Sequence, residues 1–110
     1  MAGKSTIRKA SNGEYYCRLQ AGNGETILNS ERYSTKASAE GGIASVKENA
    51  PLDGRYERKT TANGQHMFNL KAANHQIVGT SEAYSSSSAR DQGIEAVKAT
   101  APGASTDDQS

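Results

Sequence analysis

The sequence predicts an α+β domain, built as a tandem duplication of a βββα module that forms one pseudo-two-fold symmetric unit with an antiparallel sheet. Residues 12–51 align with residues 63–102 without a gap, at a constant shift of 51 positions, and fifteen of the aligned pairs are identical. In each copy, short segments of alternating polarity precede a segment with helical periodicity. One such module is too small to bury its apolar face alone, so we expect the two copies to pack together as an internal pseudo-dimer.

Two hairpin strands open each copy. The first strands are predicted near Thr6–Ala10 and Arg55–Thr60, and an Asn-Gly pair supplies the positive φ angles of the following turn. The letters IRKASNG and ERKTTANG match only if the second turn holds one extra residue. Third strands are predicted near Glu25–Ser30 and Gln76–Ser81. The second strands alternate in polarity, and their predicted core faces carry Tyr15, Cys17, Leu19 and Ala21 in the first copy and His66, Phe68, Leu70 and Ala72 in the second.

A helix closes each copy. Thr35 and Ser86 stand where an N-cap hydroxyl accepts a hydrogen bond from a free backbone N–H group, and an Ala-Pro pair ends each helical pattern. Gly42 and Gly93 lie inside the helices, where glycine costs about 1 kcal/mol relative to alanine. Their recurrence predicts a close approach between each helix and the sheet.

These elements predict a single domain over residues 1–102. The first repeat covers about 5–51, a linker covers 52–54, and the second repeat covers about 55–102. The remaining residues, 103–110, read GASTDDQS. Because this segment lacks large apolar side chains, we expect it to form a disordered polar tail.

Composition narrows the possible functions. The 110 residues include 13 basic and 12 acidic side chains, for a net charge of +1, whereas nucleic-acid binders usually carry a basic excess. With no Trp and one Phe, the core is thin, and we expect no cofactor. Cys17 is the only cysteine, which excludes an internal disulfide. No apolar run has the length of a membrane span and the first residues lack an apolar leader, so we expect a soluble cytoplasmic protein.

The same residues resemble a known family. LQAGNGETILNSERYSTKASAEGGIASVKENAP and LKAANHQIVGTSEAYSSSSARDQGIEAVKATAP are similar to the tandem repeats of the YegP-like family of small bacterial proteins. The resemblance covers roughly residues 5–102 and implies a duplicated βββα module whose copies assemble as a pseudo-dimer. That family has no known function, so the resemblance implies a fold and not an activity. The second copy departs from the pattern where His75 replaces a turn glycine, and at the more polar start of its helix.

The repeated polar corners are the main candidate binding residues. Ser30-Glu31 and Ser81-Glu82 occupy equivalent positions. If the pseudo-dyad brought the two carboxylates together, they could bind a cation or act as acid and base. The alternative is that these side chains bond the backbone at the strand-to-helix corner.

Two further pairs recur. Tyr33 and Tyr84 follow the corners and are interpreted as core aromatics with bonded hydroxyls, with base stacking as the alternative. Asn23 and Asn74 lie in predicted tight turns, where asparagine bonds its own backbone; a ligand contact is the alternative. No catalytic residue and no metal ligand set is predicted, because no nucleophile motif or metal-ligand spacing occurs.

The leading functional hypothesis is a small non-enzymatic binding or accessory module that acts through a protein surface or a groove between the repeats. The alternative is weak nucleic-acid binding through Tyr16 and the Arg/Lys residues of an exposed sheet face, including Arg8 and Lys59. An enzyme that uses Glu31 and Glu82 ranks last. The partner stays unnamed, with a protein partner possible, and we expect a monomer that contains an internal pseudo-dimer.

Overall fold

The computed structural model describes residues 3–110 as seven strands and two α-helices in one α+β fold. Met1 and Ala2, which the predicted domain includes, lie outside the described residues. The elements run in the order β1 Lys4–Lys9, β2 Tyr15–Gln20, β3 Thr26–Asn29, α1 Lys36–Asn49, β4 Tyr56–Thr60, β5 His66–Lys71, β6 Ile77–Thr80, α2 Ser87–Thr100 and β7 Ser105–Asp108. Single 3-10 turns at Asp53–Arg55 and Ala101–Gly103 follow the two helices.

All seven strands form one sheet, in the order β4-β5-β6-β3-β2-β1-β7. The two repeats therefore share a sheet, which is joined between β3 and β6 at the antiparallel pair Asn29↔Thr80. The expected antiparallel arrangement holds for the first six strands. It is wrong at β7, which lies parallel to β1 and makes the sheet mixed.

The predicted disordered tail is also wrong, because Ser105–Asp108 forms β7. The segment bonds the free edge of β1, where the Gln109 N–H donates to the Ile7 carbonyl over 2.8 Å. Lys36 pairs with Asp108 over 2.9 Å, and Ala104 is buried just before the strand. Composition missed this strand because an edge strand is held by backbone hydrogen bonds and needs few apolar side chains.

The hairpin registers correct the predicted extra turn residue. Ile7 lies opposite Cys17 in the first repeat, and Arg58 lies opposite Phe68 in the second. Since Cys17 and Phe68 differ by 51 positions, the first strands also correspond at a shift of 51, with no insertion. The match of IRK to ERK fails because a one-residue slip would move buried Ile7 off the core face.

The helix predictions are confirmed. The Thr35 hydroxyl accepts from the Ser38 N–H over 3.1 Å, and the Ser86 hydroxyl accepts from the Ala89 N–H over 3.0 Å. Neither described helix is long and apolar enough to cross a membrane. A Cβ atom built on Gly42 would lie 2.4 Å from the Tyr33 hydroxyl oxygen, which explains why the helix needs glycine there.

One face of the sheet carries the core. The main cluster draws from both repeats and includes Leu19, Leu28, Val46, Phe68, Leu70, Ile94 and Val97. A smaller cluster of Ile7, Cys17, Ala39 and Ile43 belongs to the first repeat. Because side chains alternate along strands, the opposite face carries the row Arg18, Asn29, Thr80 and Asn69. We call it the open face, since both helices pack into the clusters on the other side.

Candidate functional site

The serines of the repeated corners bond the backbone. The Ser30 hydroxyl accepts from the Cys17 N–H over 2.7 Å and donates to the Glu31 carbonyl over 2.7 Å. The Ser81 hydroxyl accepts from the Phe68 N–H over 2.9 Å and donates to the Glu82 carbonyl over 2.8 Å. Each serine thus ties the second strand of its repeat to the corner before the helix. Both of its hydrogen-bonding functions are engaged within the protein.

The corner tyrosines lie between sheet and helix. Tyr33 exchanges two backbone hydrogen bonds of 2.7 Å with Tyr15, and Tyr84 bridges to His66 in the same way. Burial raises the pKa of Tyr33, and the nearby Cys17 and Glu31 side chains add to the shift. Burial likewise raises the pKa of Tyr84. Their hydroxyls abut the helix glycines, so the rings pack under the helices.

The two corner glutamates differ in surroundings. Glu82 accepts a hydrogen bond from the Asn29 side chain over 3.0 Å, across the junction of the repeats. Glu31 lines a groove whose described lining does not include Glu82. Within residues 3–110, no group of three or more His, Cys, Asp or Glu side chains is placed to hold a metal ion.

The turn asparagines bond their own backbone. The Asn23 side chain accepts from the Glu25 N–H over 3.0 Å, and Asn74 accepts from the Gln76 N–H over 3.1 Å. The repeats differ at the next position. Gly24 has φ 86°, whereas His75 keeps the left-handed region with φ 70°.

A groove of about 760 Å³ separates the first repeat's corner from the second repeat's β5–β6 turn. The first repeat contributes Glu31, Tyr33, Ser38, Gly41, Gly42 and Ser45, and the second contributes His75, Gln76, Ile77 and Val78. The structure therefore brings Glu31 and Tyr33 together with His75. Sequence analysis noted His75 as a departure from the pattern but did not place it in one groove with Glu31, because the groove depends on how the repeats pack.

A second set of polar residues lies on the open face of the first repeat. The Tyr16 ring has the Arg18 guanidinium carbon 5.4 Å from its centroid and that of Arg32 at 5.1 Å. Alternation along β2 predicts that Tyr16 and Arg18 share a face, whereas Arg32 comes from the corner and has no periodic signal. Arg58 contributes nothing to this surface, because it lies on the helix side and pairs with Asp91 over 3.3 Å.

Comparison with known proteins identifies the family. The model described as Domain of unknown function (DUF1508) matches residues 10–57 and residues 62–108. The chain belongs to this family. Each DUF1508 match holds two strands, a helix and residues of the strand after the helix, so the matched unit starts one strand later than the predicted βββα module.

The relatives of this DUF1508 chain are bacterial. It is 56% identical to UPF0339 protein YegP of Shigella flexneri over 99 residues, which cover 90% of each chain. It is 54% identical to a UPF0339 protein of Bordetella pertussis over 103 residues, covering 94% of this chain and 93% of the relative. The YegP-like resemblance is thereby confirmed.

Two solved structures share the fold. The solution NMR structure of yegP from E. coli, a protein of unknown function, matches with a TM-score of 0.93 and 50% identity, covering 99% of this chain and 94% of that chain. The UPF0339 protein SO3888 from Shewanella oneidensis matches with a TM-score of 0.91 and 46% identity, over 98% and 92% of the chains. These relatives define the repeat and the fold, and their names state no activity.

Proposed function

We propose that this DUF1508 protein is a non-enzymatic binding module that holds its ligand in the groove between the repeats. The observation that carries the proposal is that the two repeats contribute opposite walls of one groove of about 760 Å³. This volume lies within the range of about 300–1,000 Å³ that is usual for ligand sites. The corner serines already bond the backbone, which argues against a nucleophilic role for their hydroxyls.

The lining favours a ligand that combines a positive or neutral polar group with an apolar part. Glu31 is the one carboxylate among the described lining residues, which include no Lys or Arg. Ile77, one of two large apolar side chains exposed within residues 3–110, also lines the groove, with 37% of its surface accessible. Glu31 would contact the cationic group, and Ile77 would contact the apolar part.

His75 supports a role for this wall. It holds the left-handed φ of 70° in a turn where the first repeat uses glycine. A side chain in this region costs of order 1 kcal/mol or more, and such strain persists mainly where it serves function. Because the residue is histidine, its imidazole lies at the groove, where a glycine would supply no side chain.

We also infer that the ancestral unit was a βββα module and that its two copies, about residues 5–51 and 55–102, are related by a pseudo-two-fold axis within one domain. The equal hairpin registers and the central Asn29↔Thr80 pair support this. We propose that the chain is a monomer, because the two repeats already pair with each other at Asn29↔Thr80, and that it is cytoplasmic. Sedimentation and cell fractionation test these two points.

An amide-resolved NMR titration tests the groove. We expect small organic amines with an apolar part, or a short Lys/Leu peptide, to shift the signals of Glu31–Tyr33 and His75–Val78 together. Glu31→Gln should weaken that binding about tenfold, as expected for a lost charge-assisted contact. Glu82→Gln is the matched control, because Glu82 bonds Asn29 outside the described groove lining.

Two results would contradict the proposal. If none of these ligands moves the groove signals, the groove is not a binding site for these classes. If an enzymatic turnover is measured and Glu31→Gln or Glu82→Gln abolishes it, the module is an enzyme.

A further inference from the structure

Four residues form a patch on the open face of the first repeat. In the β1–β2 register, Thr6 lies opposite Arg18 and Arg8 lies opposite Tyr16. Three side-chain atoms of this patch are buried without a hydrogen-bond partner, namely Thr6 Oγ1, Arg8 Nε and Arg18 Nε. Thr6 itself is 0% exposed. Buried polar atoms are normally satisfied, so three neighbouring exceptions indicate a missing partner.

The second repeat shows which group occupies the equivalent position. Glu57 lies opposite Asn69, in the same register in which Thr6 lies opposite Arg18. Lys59 occupies the position that Arg8 has in the first repeat. The Glu57 carboxylate accepts hydrogen bonds from Asn69 over 3.2 Å and Lys71 over 3.0 Å, and its oxygen lies 3.9 Å from Lys59 Nζ. The Lys71 and Asn69 bonds hold the pKa of Glu57 below its ordinary value. The second repeat therefore carries a built-in carboxylate at this position.

The first repeat has the donors without the carboxylate. Arg8 and Arg18 stand where the second repeat has Lys59 and Asn69, and Thr6 replaces Glu57. The neighbouring acids are engaged elsewhere. Asp107, opposite Thr6 on β7, lies 3.7 Å from Lys4 and accepts from Gln109 over 2.9 Å.

Glu14, two residues before Tyr16, is also engaged, since it accepts from Asn12 over 2.8 Å. Within residues 3–110, none of the ion pairs of 4.0 Å or less includes Arg8, Arg18 or Arg32. The patch therefore holds cations that the described part of the chain does not pair.

We propose that Thr6, Arg8, Tyr16 and Arg18 form a binding site for a carboxylate of an acidic peptide segment, which we call the Thr6 site. The incoming carboxylate takes the position that Glu57 fills in the second repeat and accepts from the Arg8 and Arg18 Nε–H groups and the Thr6 hydroxyl. Arg32, stacked on Tyr16, adds positive charge at the rim. The site is separate from the groove, so its test stands apart from that of the proposed function.

The observations favour a peptide over nucleic acid. The ligand that the protein itself supplies in the second repeat is a carboxylate. Glu57 also pairs with the two lysines of that half of the face, which confines the unpaired cations to the first repeat. A nucleic-acid backbone usually follows a longer basic track.

The experiment is a titration of the full chain with hexaglutamate at low ionic strength, followed through the arginine Nε–H signals in ¹H–¹⁵N spectra. We expect the Arg8 and Arg18 Nε–H signals to move, while hexaglutamine leaves them in place. Added salt should weaken the shifts, because the contact is ionic and partly exposed.

Three variants test the assignment. Arg18→Asn installs the second repeat's residue and should weaken hexaglutamate binding about tenfold or more. Thr6→Glu supplies the carboxylate internally and should abolish the binding. Thr6→Val removes only the hydroxyl at nearly constant volume, so it should weaken hexaglutamate binding about tenfold, as expected for one lost hydrogen bond to a charged group. Far-UV circular dichroism checks folding, and Arg18→Asn decides alone if Thr6→Glu does not fold.

Several outcomes overturn the proposal. One is the absence of Nε–H shifts with hexaglutamate. Another is unchanged binding by Arg18→Asn or by a folded Thr6→Glu. A third is a short oligothymidylate or inorganic phosphate that moves the same signals at lower concentration than hexaglutamate, which would reassign the site to phosphate.

Discussion

The positions that the two repeats share and the positions where they differ have separate roles. Shared side chains complete local structure, as Ser30 and Ser81 do by binding the backbone of the second strand. Several differing side chains lie where the repeats meet or face a surface, although Cys17 and Phe68 differ within the core. Leu28 and Gly79 meet at the junction, and Thr6 and Glu57 occupy the open face.

The comparison teaches where function is to be sought. A duplicated fold must keep its caps, corners and close approaches twice, so recurrence by itself reflects architecture. Once two copies share a sheet, a surface can change in one copy while the other keeps its contacts. The differences between the repeats therefore indicate function better than the repeated motif SExYS at residues 30–34 and 81–85 does.

The largest expected effect lies at the junction. Leu28 is almost fully buried, and a Cβ atom built on Gly79 would lie 2.5 Å from its Cδ2. Leu28→Gly should lower the free energy of unfolding by at least the cost of a buried Leu→Ala change, about 2–5 kcal/mol. Urea unfolding followed by circular dichroism measures it.

The swapped double variant sharpens this test. Leu28→Gly combined with Gly79→Leu should recover more than half of the loss, because the proposed pseudo-two-fold relation lets one leucine fill the junction from either side. Gly79→Leu alone should destabilise the protein by overpacking, by about 1–3 kcal/mol or more. If the double variant is as unstable as the sum of the two changes, the two positions are not interchangeable.

A smaller loss of stability is expected from a substitution within the repeated SExYS motif. Ser81→Ala leaves the Phe68 N–H, which belongs to a fully buried residue, without its acceptor. An unsatisfied buried group costs about 1–3 kcal/mol. Ser85→Ala is the matched control, because Ser85 is also repeated but exposed, and it should change stability by less than about 0.5 kcal/mol. If the two substitutions lower the free energy of unfolding equally, the Ser81 hydrogen bond does not explain why the SExYS motif recurs.

Sequence analysis predicted most of the fold. Local sequence patterns in each copy predicted the N-caps at Thr35 and Ser86. They also predicted the close helix–sheet contacts at Gly42 and Gly93. It failed to predict strand β7, and it misaligned the first strand of one repeat, β1, with the first strand of the other, β4, by one residue. Both depend on which strand edges meet, and a short polar segment such as Ser105–Asp108 carries no periodic sign of its partner.

The candidate sites were less predictable. The groove forms where the β5–β6 turn of one repeat meets the helix of the other, which no single segment encodes. The Thr6 site needed the correct register, since the slipped alignment pairs Ile7 with Glu57 and conceals that Thr6 replaces a carboxylate. Alternation along β2 gave only the shared face of Tyr16 and Arg18.

The smallest expected effect is a pH dependence that separates the two halves of the open face. The bonds from Lys71 and Asn69 lower the pKa of Glu57 below 4.5. A lowered folded-state pKa stabilises the protein above the unfolded value, and this contribution is lost as pH falls through the folded pKa. The midpoint temperature of thermal unfolding should therefore be higher for wild type than for Glu57→Gln near neutral pH. This difference should be lost in acid, as the pH falls below 4.5.

The control for this prediction is Glu48→Gln, which removes a carboxylate from the exposed side of α1 and should not reproduce the pH-dependent difference. Thr6→Glu carries the argument further, because a carboxylate held by Arg8 and Arg18 would also have a lowered pKa. That variant should gain stability near neutral pH and lose the gain in acid, as the second repeat does through Glu57. If it gains no acid-sensitive stability, the two arginines do not converge on that position, and the correspondence between Thr6 and Glu57 is one of register without shared chemistry.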